Sequence, residues 1–565
     1  MLAKTAKLVY FFAVSAFLLL PVFGFAQTVS FNVDPAYDLL SRTQIEAELV
    51  RTTQNLYFYI EKSWWNNLAS QEQNNIRIVL FELGEEFTGR IYPVLTTTFG
   101  QEPKPGIDRD EKITILIHQM RQDAGGYFNS GDAYSRLQAP RSNEREMVYL
   151  SANRVTSPNL KSFLAHEFVH LITINQKDLL RRVTEEIWLN EARAELAPTL
   201  LGYDEIFQGS NLEARMIAFL EKPTLSLTEW LNLKYDYGAV NLFAQYIVDH
   251  YGTKILVDSL QSSKIGIASL EEALLRQGVS KTFAQLFSDW AITLLLNDCS
   301  VGQRYCYLNQ HLKNLKIVPT IYFLPRTETT ISTVHGSTFW SLNWHRLVGG
   351  EGQLSLEFEG NSAVSFEVPL ALCDRQNLCS ITFLALDSQE KGRLQLADFS
   401  QKYNSLTILP FVKSKTEGFD GEQRSFSFSW KTSVGQGAQT EAELRNQLLS
   451  RVAQLRAQLA QLQAQLSALF NGQPLPGAVS CTQLNNNLYF GVRNSQEVRC
   501  LQEFLKTEGV YPEGLVTGNF LSLTRTAVIR FQEKYASEIL TPFGLQQGTG
   551  YVGQATRAKL NQLLQ

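Results

Sequence analysis

Residues 159–198 hold the side chains whose types and spacing could carry out chemistry. Within this stretch His166 and His170 flank Glu167 in the pattern H-E-x-x-H. Residues four apart on a helix share one face, so the two imidazoles can hold a single Zn²⁺. Glu167 directly follows the first imidazole, where its carboxylate can take a proton from an attacking water without ligating the metal. The pattern predicts a zinc site that hydrolyses its substrate.

A second acidic segment, W-L-N-E-A-R-A-E at residues 188–195, follows the first. Catalytic zinc sites generally have three protein ligands and one open position. We predict that Glu191 is the third ligand, and that Glu195, one turn further on, orients one of the histidines through its other ring nitrogen. Glu195 is the substitute ligand if Glu191 does not bind the metal. The alternative interpretation is an ordinary pair of amphipathic helices with solvated glutamates.

These two segments together resemble the gluzincin metallopeptidases, which combine H-E-x-x-H with a later Glu in an Asn-Glu context. Asn190 and Glu191 supply that context here. The sequence is similar to the hyicolysin-type neutral zinc metallopeptidases over roughly residues 30–300. The resemblance implies a two-lobed, thermolysin-like α+β catalytic unit that uses one Zn²⁺ to cleave peptide bonds in a protein or peptide substrate.

The same resemblance implies two further parts of the site. The segment around Gly125, Gly126 and Tyr127 resembles the wall of the family's substrate cleft, where an edge strand binds extended peptide by strand addition. A plain glycine turn between strands is the open alternative. Tyr237 resembles the residue that hydrogen-bonds the oxyanion, with Tyr235 as the fallback, although a tyrosine packed at a helix start fits the sequence equally well.

Helices and strands must position these residues. The helix with the histidines is predicted to begin with Ser157 as its cap. Alternating apolar residues predict strands at residues 112–118 and 146–150. Residues 27–110 are predicted to be helical, and this prediction rests on the apolar runs at residues 45–49 and 56–60.

Composition restricts the class of protein and its partners. The chain has 565 residues with 44% hydrophobic and 11% aromatic residues, enough for several folded domains. Its net charge is −4 and it has no basic block, so no nucleic acid partner is expected. Residues 1–26 are typical of a secretory signal peptide, and an uncleaved membrane anchor is the alternative. We therefore expect an exported bacterial protein, either extracellular or associated with the cell wall or envelope.

The six cysteines fit an exported protein because they form three close pairs. The predicted disulfides are Cys299–Cys306, Cys373–Cys379 and Cys481–Cys500. Metal binding by these cysteines is not expected because there is no C-x-x-C motif. Asp108 and Asp110 could suggest Ca²⁺, but a calcium loop needs more oxygen ligands and a turn is the favoured interpretation.

Two later regions have different periodicities. Residues 319–432 contain strictly alternating runs separated by turn residues, which predicts an antiparallel β-sandwich of undetermined role. Apolar residues then recur in steps of four and three from Leu448 to Leu469, a heptad pattern over about three repeats. This segment is either a dimerising coiled coil or a single-helix spacer, since three heptads are marginal for stable pairing.

The C-terminal region closely resembles the small three-helix peptidoglycan-binding domain. The elements L-Q-x-F-L, T-G-x-F, T-x-x-A-V-x-x-F-Q and G-x-x-T-x-x-x-L occur there in the family's order. The resemblance implies that peptidoglycan is a partner, although the sequence does not show which side chains would contact it. A helical module that binds another protein is the alternative.

The sequence thus predicts a multidomain chain in five parts. They are a signal peptide (1–26), a zinc metallopeptidase domain (27–318), a β-sandwich (319–432), a linker with a coiled-coil helix or helical stalk (433–480) and a peptidoglycan-binding domain (481–565). The expected function is a secreted zinc endopeptidase tethered to the cell wall. The alternatives are a hydrolase that cuts peptidoglycan peptides and a wall-binding protein without catalytic activity.

Overall fold

The structure is a computed structural model that divides into two compact units, Met1–Ala438 and Gln439–Gln565. It describes residues 28–122, 124–325, 329–397, 399–413, 419, 421–435, 448–460, 462 and 481–564. The predicted signal peptide lies outside these residues. Within them, no helix combines the length and apolar character that crossing a bilayer requires.

The first unit begins with a six-stranded sheet in the order β1-β2-β3-β4-β6-β5. The strands β3, β4 and β6 are parallel, and the other pairs are antiparallel. The two-residue strand β5 forms one edge of the sheet, beside the helix that carries the histidines. The strands are β1 (Thr28–Asn32), β2 (Gln44–Thr52), β3 (Leu56–Glu61), β4 (Ile113–His118), β5 (Gly126–Tyr127) and β6 (Met147–Ser151).

The prediction of helix at residues 45–49 and 56–60 was wrong, because both runs are strands, β2 and β3. In β2, buried Ile45 and Ala47 alternate with exposed Gln44 and Glu46, which is the period of a strand with one buried face. Strand β3 lies between two neighbours and is buried on nearly every residue, so its sequence is a continuous apolar run that periodicity alone cannot assign.

Ten helices of this unit follow or flank the sheet. They are α1 (Lys62–Asn66), α2 (Ser70–Glu86), α3 (Tyr92–Phe99), α4 (Leu160–Thr173), α5 (Ile187–Leu200), α6 (Asn211–Glu221), α7 (Lys234–Tyr251), α8 (Lys254–Leu260), α9 (Gly266–Arg276) and α10 (Phe283–Leu296). The predicted cap of α4 was misplaced, since Ser157 accepts a hydrogen bond from the Asn159 amide in a turn and the helix begins at Leu160.

Helix α5 packs between α4 and α7 and carries small residues on more than one side. Ala192, Ala194 and Ala197 are all buried. Small side chains let helix axes approach closely, so that polar groups on α4 and α5 can meet. This packing positions the predicted zinc ligands.

The β-rich part of the first unit contains a four-stranded sheet, β14-β10-β17-β8, and a five-stranded sheet, β13-β12-β15-β9-β7. All neighbouring pairs are antiparallel except β7 and β9, which run parallel. The strands are β7 (Thr320–Leu324), β8 (Thr329–Ser337), β9 (His345–Gly349), β10 (Leu354–Gly360), β11 (Phe366–Glu367), β12 (Pro369–Cys373), β13 (Cys379–Phe383), β14 (Lys391–Leu396), β15 (Ser405–Ile408), β16 (Phe411–Val412) and β17 (Phe426–Val434), with a short helix α11 (Phe399–Lys402).

The β-rich part shares one continuous hydrophobic core with the helices. The ring of Trp340 packs edge-on against Phe283 and Phe287 of α10, with ring centroids 4.7 and 5.4 Å apart. Trp344 donates a hydrogen bond from its indole nitrogen to the Ala291 carbonyl at 3.2 Å. The parts of the chain before and after the predicted boundary near residue 318 are therefore packed against each other through buried residues.

The three predicted disulfides are present, two in the first unit and one in the second. They join Cys299 to Cys306, Cys373 to Cys379 and Cys481 to Cys500. The predicted turn at Asp108 also occurs, since the Asp108 carboxylate accepts from the Asp110 amide and that of Asp110 accepts from the Lys112 amide.

The second unit contains a helix at residues 448–460, here α12, and a C-terminal helical domain with its own core. The heptad leucines of α12 within the described residues are exposed in the single chain, and the rest of the predicted heptad segment lies outside those residues. The helices of the domain are α13 (Gln496–Thr507), α14 (Ser522–Lys534), the short α15 (Ala536–Ile539) and α16 (Gln554–Leu563).

Candidate functional site

The two histidines and Glu191 meet where α4 packs on α5. Their ligand atoms all lie within 4.8 Å of one another, and among the described residues no other set of three such side chains does. The His166 Nε2 and His170 Nε2 atoms are 3.1 Å apart. Glu191 Oε2 lies 3.2 Å from the first of these nitrogens and 3.5 Å from the second.

This arrangement fits a tetrahedral zinc ion. With metal–ligand distances of about 2.0–2.1 Å, neighbouring ligand atoms of a tetrahedral site lie roughly 3.4 Å apart. The three separations found here, 3.1, 3.2 and 3.5 Å, scatter around that value. Glu191 Oε2 is also buried without a well-aligned hydrogen bond from the described residues, so a cation would satisfy it. Two imidazoles and one carboxylate are a donor set that zinc accepts.

Glu195 lies behind the ligands and contacts His166 through the other ring nitrogen, with Oε1 3.3 Å from Nδ1. Arg215 donates to both oxygens of Glu195 at 2.7 Å, and the Asn211 amide donates to Oε2 at 3.0 Å. Burial raises the pKa of the Glu195 carboxyl, but the charge of Arg215 outweighs burial and holds that pKa below its usual range. Glu195 is therefore anionic and held to accept the Nδ1 proton of His166, which leaves Nε2 to face the metal position.

The carboxyl groups of Glu167 and Glu191 differ in how firmly they hold a proton. Burial raises the pKa of Glu167 to about 7, against the opposing charges of the two imidazoles. Burial also raises the pKa of Glu191, but the charge of His170 and the close contact of His166 outweigh burial and bring it to about 2. Glu167 is thus the carboxyl of the pair that can both accept and release a proton near neutral pH.

The glycines of the predicted cleft wall let strand β5 lie against α4. A Cβ at Gly126 would be 2.7 Å from the Tyr149 carbonyl and 3.1 Å from the Glu167 side chain. A Cβ at Gly125 would be 2.9 Å from the Phe163 ring. Any larger side chain at either position would push the edge strand away from the predicted base, so these glycines are required by a close approach.

Three tyrosines form a ladder from the sheet to the cavity beside the metal position. Tyr149 stacks on Tyr127 with centroids 4.1 Å apart, and Tyr127 stacks on Tyr37 with centroids 4.6 Å apart. The cavity has a volume of about 360 Å³ and is lined by Tyr37, Gly126, Tyr127, Glu167, Tyr237 and the three predicted ligands, among others. Tyr37 belongs to the turn after β1, and its carbonyl accepts from the Arg121 amide at 3.0 Å.

The hydroxyl groups of Tyr237 and Tyr37 meet at Asn232. Tyr237 donates to Asn232 Oδ1 at 3.1 Å, and the Asn232 amide faces the Tyr37 hydroxyl as a donor. In this arrangement the proton of Tyr237 is already used, whereas the proton of Tyr37 remains to be donated. Burial raises the pKa of both phenols, so both stay protonated. The fallback residue Tyr235 lies beside Lys222 and Lys234 and is not among the residues that line the cavity.

Sequence reasoning did not identify Tyr37, Asn232 or Arg215. Tyr37 and Arg215 lie far along the chain from H-E-x-x-H and belong to no motif with it. The available signal for Arg215 was indirect, because a buried second carboxylate such as Glu195 requires a cation to pair with. The left-handed backbone of Asn232, with φ of 59°, is typical of asparagine but does not indicate a role.

Comparisons with known proteins found one curated relative and one matching family model. The chain is 29% identical over 219 residues to the neutral metalloprotease ShpI of Staphylococcus hyicus, a match that covers 34% of this chain and 47% of the relative. The chain therefore spans about half the length of the curated relative it matches. Residues 494–560 match the family model of a peptidoglycan binding domain.

Solved structures give no further information about the fold. The pre-peptidase C-terminal domain of a collagenase from Bacillus anthracis aligns with 8% identity and a TM-score of 0.14, covering 20% of this chain and 94% of that one. The periplasmic lysozyme inhibitor PliG of Aeromonas hydrophila aligns with 11% identity and a TM-score of 0.15, covering 20% of this chain and 98% of that one. TM-scores of this size carry no conclusion.

Two features of the chain follow from these comparisons. It has sequence similarity to a neutral metalloprotease, and its C-terminal domain matches a peptidoglycan-binding family over residues 494–560. The chain is therefore a metalloprotease relative with a peptidoglycan-binding domain at its C-terminal end.

Proposed function

We propose that the chain is an exported zinc endopeptidase of the gluzincin type that is held at the cell wall by residues 481–565. The observation that carries this proposal is the group formed by His166, His170 and Glu191, at separations suited to zinc and with Glu167 beside it. The similarity to a neutral metalloprotease supports the same activity. The C-terminal family match supports attachment to peptidoglycan.

In this mechanism, zinc bound by the three ligands would polarise the scissile carbonyl and lower the pKa of a water molecule. Glu167 accepts the proton of the attacking water and passes it to the leaving amine, a transfer that suits a carboxyl whose pKa is about 7. Glu195 keeps the His166 ring in one orientation and one tautomer through the contact at Nδ1. The Arg215 bonds keep Glu195 itself in place.

The oxyanion that develops during attack needs hydrogen-bond donors close to the metal position. The sequence suggested Tyr237 for this role, and we propose Tyr37 in its place. Because Tyr237 donates to Asn232 and Asn232 donates toward Tyr37, the Tyr37 proton is the one that remains for the substrate. Tyr237 and Asn232 then hold the Tyr37 hydroxyl in place through these contacts.

The edge strand β5 is proposed to bind the substrate backbone. It pairs with β6 on one side and has no strand neighbour on its other side within the described sheet. An extended peptide added there would lie next to Glu167, because Gly126 approaches that side chain so closely. Main-chain hydrogen bonds of this kind bind peptides with little regard to sequence, so the side chains that line the cavity would set specificity.

The proposal is tested with the purified full-length chain on casein, with and without a zinc chelator. We expect cleavage that the chelator abolishes and that added Zn²⁺ restores. The Glu167→Gln variant is the matched control, since it should bind zinc without cleaving casein. Cleavage that survives complete removal of the metal, or a chain that binds no zinc, would contradict the proposal.

A second candidate is a hydrolase that cuts the stem peptides of peptidoglycan, and the C-terminal domain is the observation that favours it. Purified sacculi incubated in parallel with casein separate the two candidates. Release of soluble stem-peptide fragments without cleavage of casein would favour the wall hydrolase. If the chain binds sacculi but cleaves neither substrate, it is a wall-binding protein without catalytic activity.

A further inference from the structure

The C-terminal domain exposes two tyrosines side by side on one face. Tyr489 is 53% exposed and Tyr551 is 43% exposed, and their rings are stacked with centroids 6.1 Å apart and planes 24° apart. Phe490, next to the first of them, is 38% exposed. Large aromatic rings contribute strongly to binding, and leaving them in water is unfavourable. Two exposed rings side by side therefore indicate a candidate binding surface.

Backbone pairing explains why the two rings face outward together. Leu488 and Val552 form an antiparallel bridge with hydrogen bonds in both directions, at 3.3 and 2.8 Å. Successive side chains along such a pair point to opposite faces, so the adjacent residues Tyr489 and Tyr551 are cross-strand neighbours on the other face. Leu488 and Val552 are buried in the core, and the tyrosines therefore face solvent.

The domain contains the same loop twice, which shows that its structure does not require an aromatic residue there. Buried Gln502 accepts from the Gly518 amide and donates to the Asn519 carbonyl. Buried Gln532 likewise accepts from the Gly550 amide and donates to the Tyr551 carbonyl. Asn519 occupies in the first loop the position that Tyr551 occupies in the second. The exposed ring of Tyr551 is thus additional to what the loop needs.

We propose that Tyr489 and Tyr551 form a platform on which sugar rings of the peptidoglycan glycan strand stack. A pyranose ring has an apolar face of C–H groups that can pack on an aromatic ring while its hydroxyls stay in water. Arg557, which donates to Asn487 beside the platform, provides polar groups at its edge. The glycan strand is the occupant because the domain belongs to a family that binds peptidoglycan, and this inference rests on the proposed wall attachment.

The platform is also rigid, which favours binding. Gln532 holds the backbone of the second loop through the Gly550 and Tyr551 bonds, and Thr549 accepts from the Tyr551 amide at 3.2 Å. Gly550 adopts a left-handed φ of 71° that fixes the turn before Tyr551. Because the backbone of this loop does not have to be ordered on binding, less conformational entropy opposes the stacking.

The test measures binding of the full-length chain to purified sacculi by depletion from solution. We expect Tyr489→Ala and Tyr551→Ala each to weaken binding by about tenfold, as for aromatic residues at the centre of an interface. Phe543→Ala is the matched control, since Phe543 is 66% exposed on the same domain and lies outside the platform, and it should bind like the unaltered chain. Tyr489→Phe and Tyr551→Phe keep the ring faces and should retain most of the binding.

Competition identifies the part of peptidoglycan that binds. Soluble oligomers of N-acetylglucosamine should displace the chain from sacculi, whereas free stem peptide should not. Displacement by the peptide alone overturns the platform, as does unchanged binding of both alanine variants. If those variants bind normally while deletion of residues 481–565 abolishes binding, only the platform fails. If the unaltered chain does not bind sacculi, the proposed wall attachment fails together with the platform.

Discussion

Replacing Tyr37 by phenylalanine tests how the cavity stabilises the oxyanion. The change removes one hydroxyl group and keeps the ring that stacks on Tyr127 at 4.6 Å. The lost contact with Asn232 should cost about 1 kcal/mol of folding free energy at most, a typical value for one hydrogen bond. The folded structure and the metal site should therefore remain intact.

The expected effect on catalysis is larger than the effect on stability. Removing one oxyanion donor lowers kcat by roughly 10²–10³-fold where donors alone stabilise the charge. A bound zinc ion would share that task, so we expect a loss of about 10²-fold in kcat for Tyr37→Phe, with KM nearly unchanged. Tyr237→Phe should cost less, about tenfold, because its proton is already given to Asn232 and its role is to position Tyr37.

The assay is steady-state cleavage of a fluorogenic peptide, with zinc content and Tm measured on the same samples. Tyr57→Phe is the matched control, because the Tyr57 hydroxyl bonds Asp110 and is not among the groups that line the cavity. If Tyr237→Phe costs far more kcat than Tyr37→Phe, the hydrogen-bond order through Asn232 is reversed and our assignment of the donor is wrong. Full activity in both variants would remove both tyrosines from catalysis.

The remaining predictions concern the metal, its supports and the core. Glu167→Gln should keep zinc and lose turnover, measured by metal analysis and peptide cleavage, and full activity would reject Glu167 as the base. Glu191→Ala should lose zinc, and unchanged zinc content would move the third ligand elsewhere, with Glu195 as the first candidate. Glu195→Gln should weaken zinc affinity by about 10–100-fold in a chelator competition and lower stability by roughly 2 kcal/mol, less than a fully buried pair because Arg215 is partly exposed. Trp340→Ala should lower the free energy of unfolding by about 3–5 kcal/mol, although Trp340 is far along the chain from the predicted ligands. The measurements are the Tm of unfolding and the temperature at which peptidase activity is lost, and both should fall.

The grouping of the three predicted metal ligands was open to prediction because their positions depend on local geometry. Two histidines four apart must share a helix face, and Glu191 and Glu195 share a face one turn apart. The contact between His166 and Glu195 then follows once the two helices pack. Tyr37 was not open to prediction, because it reaches the cavity only through the pairing of the sheet and the turn after β1.

The errors in the fold have similar physical causes. Strand β3 is buried on both faces, so its side chains show no alternation that would distinguish it from a buried helix. The boundary at residue 318 was placed where alternating runs begin. It gives no information about whether the two parts share a core, because the contact of Trp340 with Phe283 joins residues distant in sequence.

This shared core has a consequence for how the protein could change during evolution. Recombination near residue 318 would remove Trp340 from its contacts with Phe283 and Phe287. It would leave an exposed hydrophobic surface that favours aggregation. We therefore expect a break at this boundary to destabilise both the β-rich part and the helices that it covers. The C-terminal domain has a separate core, so a gene fusion could replace it with another domain without exposing the core of the first unit.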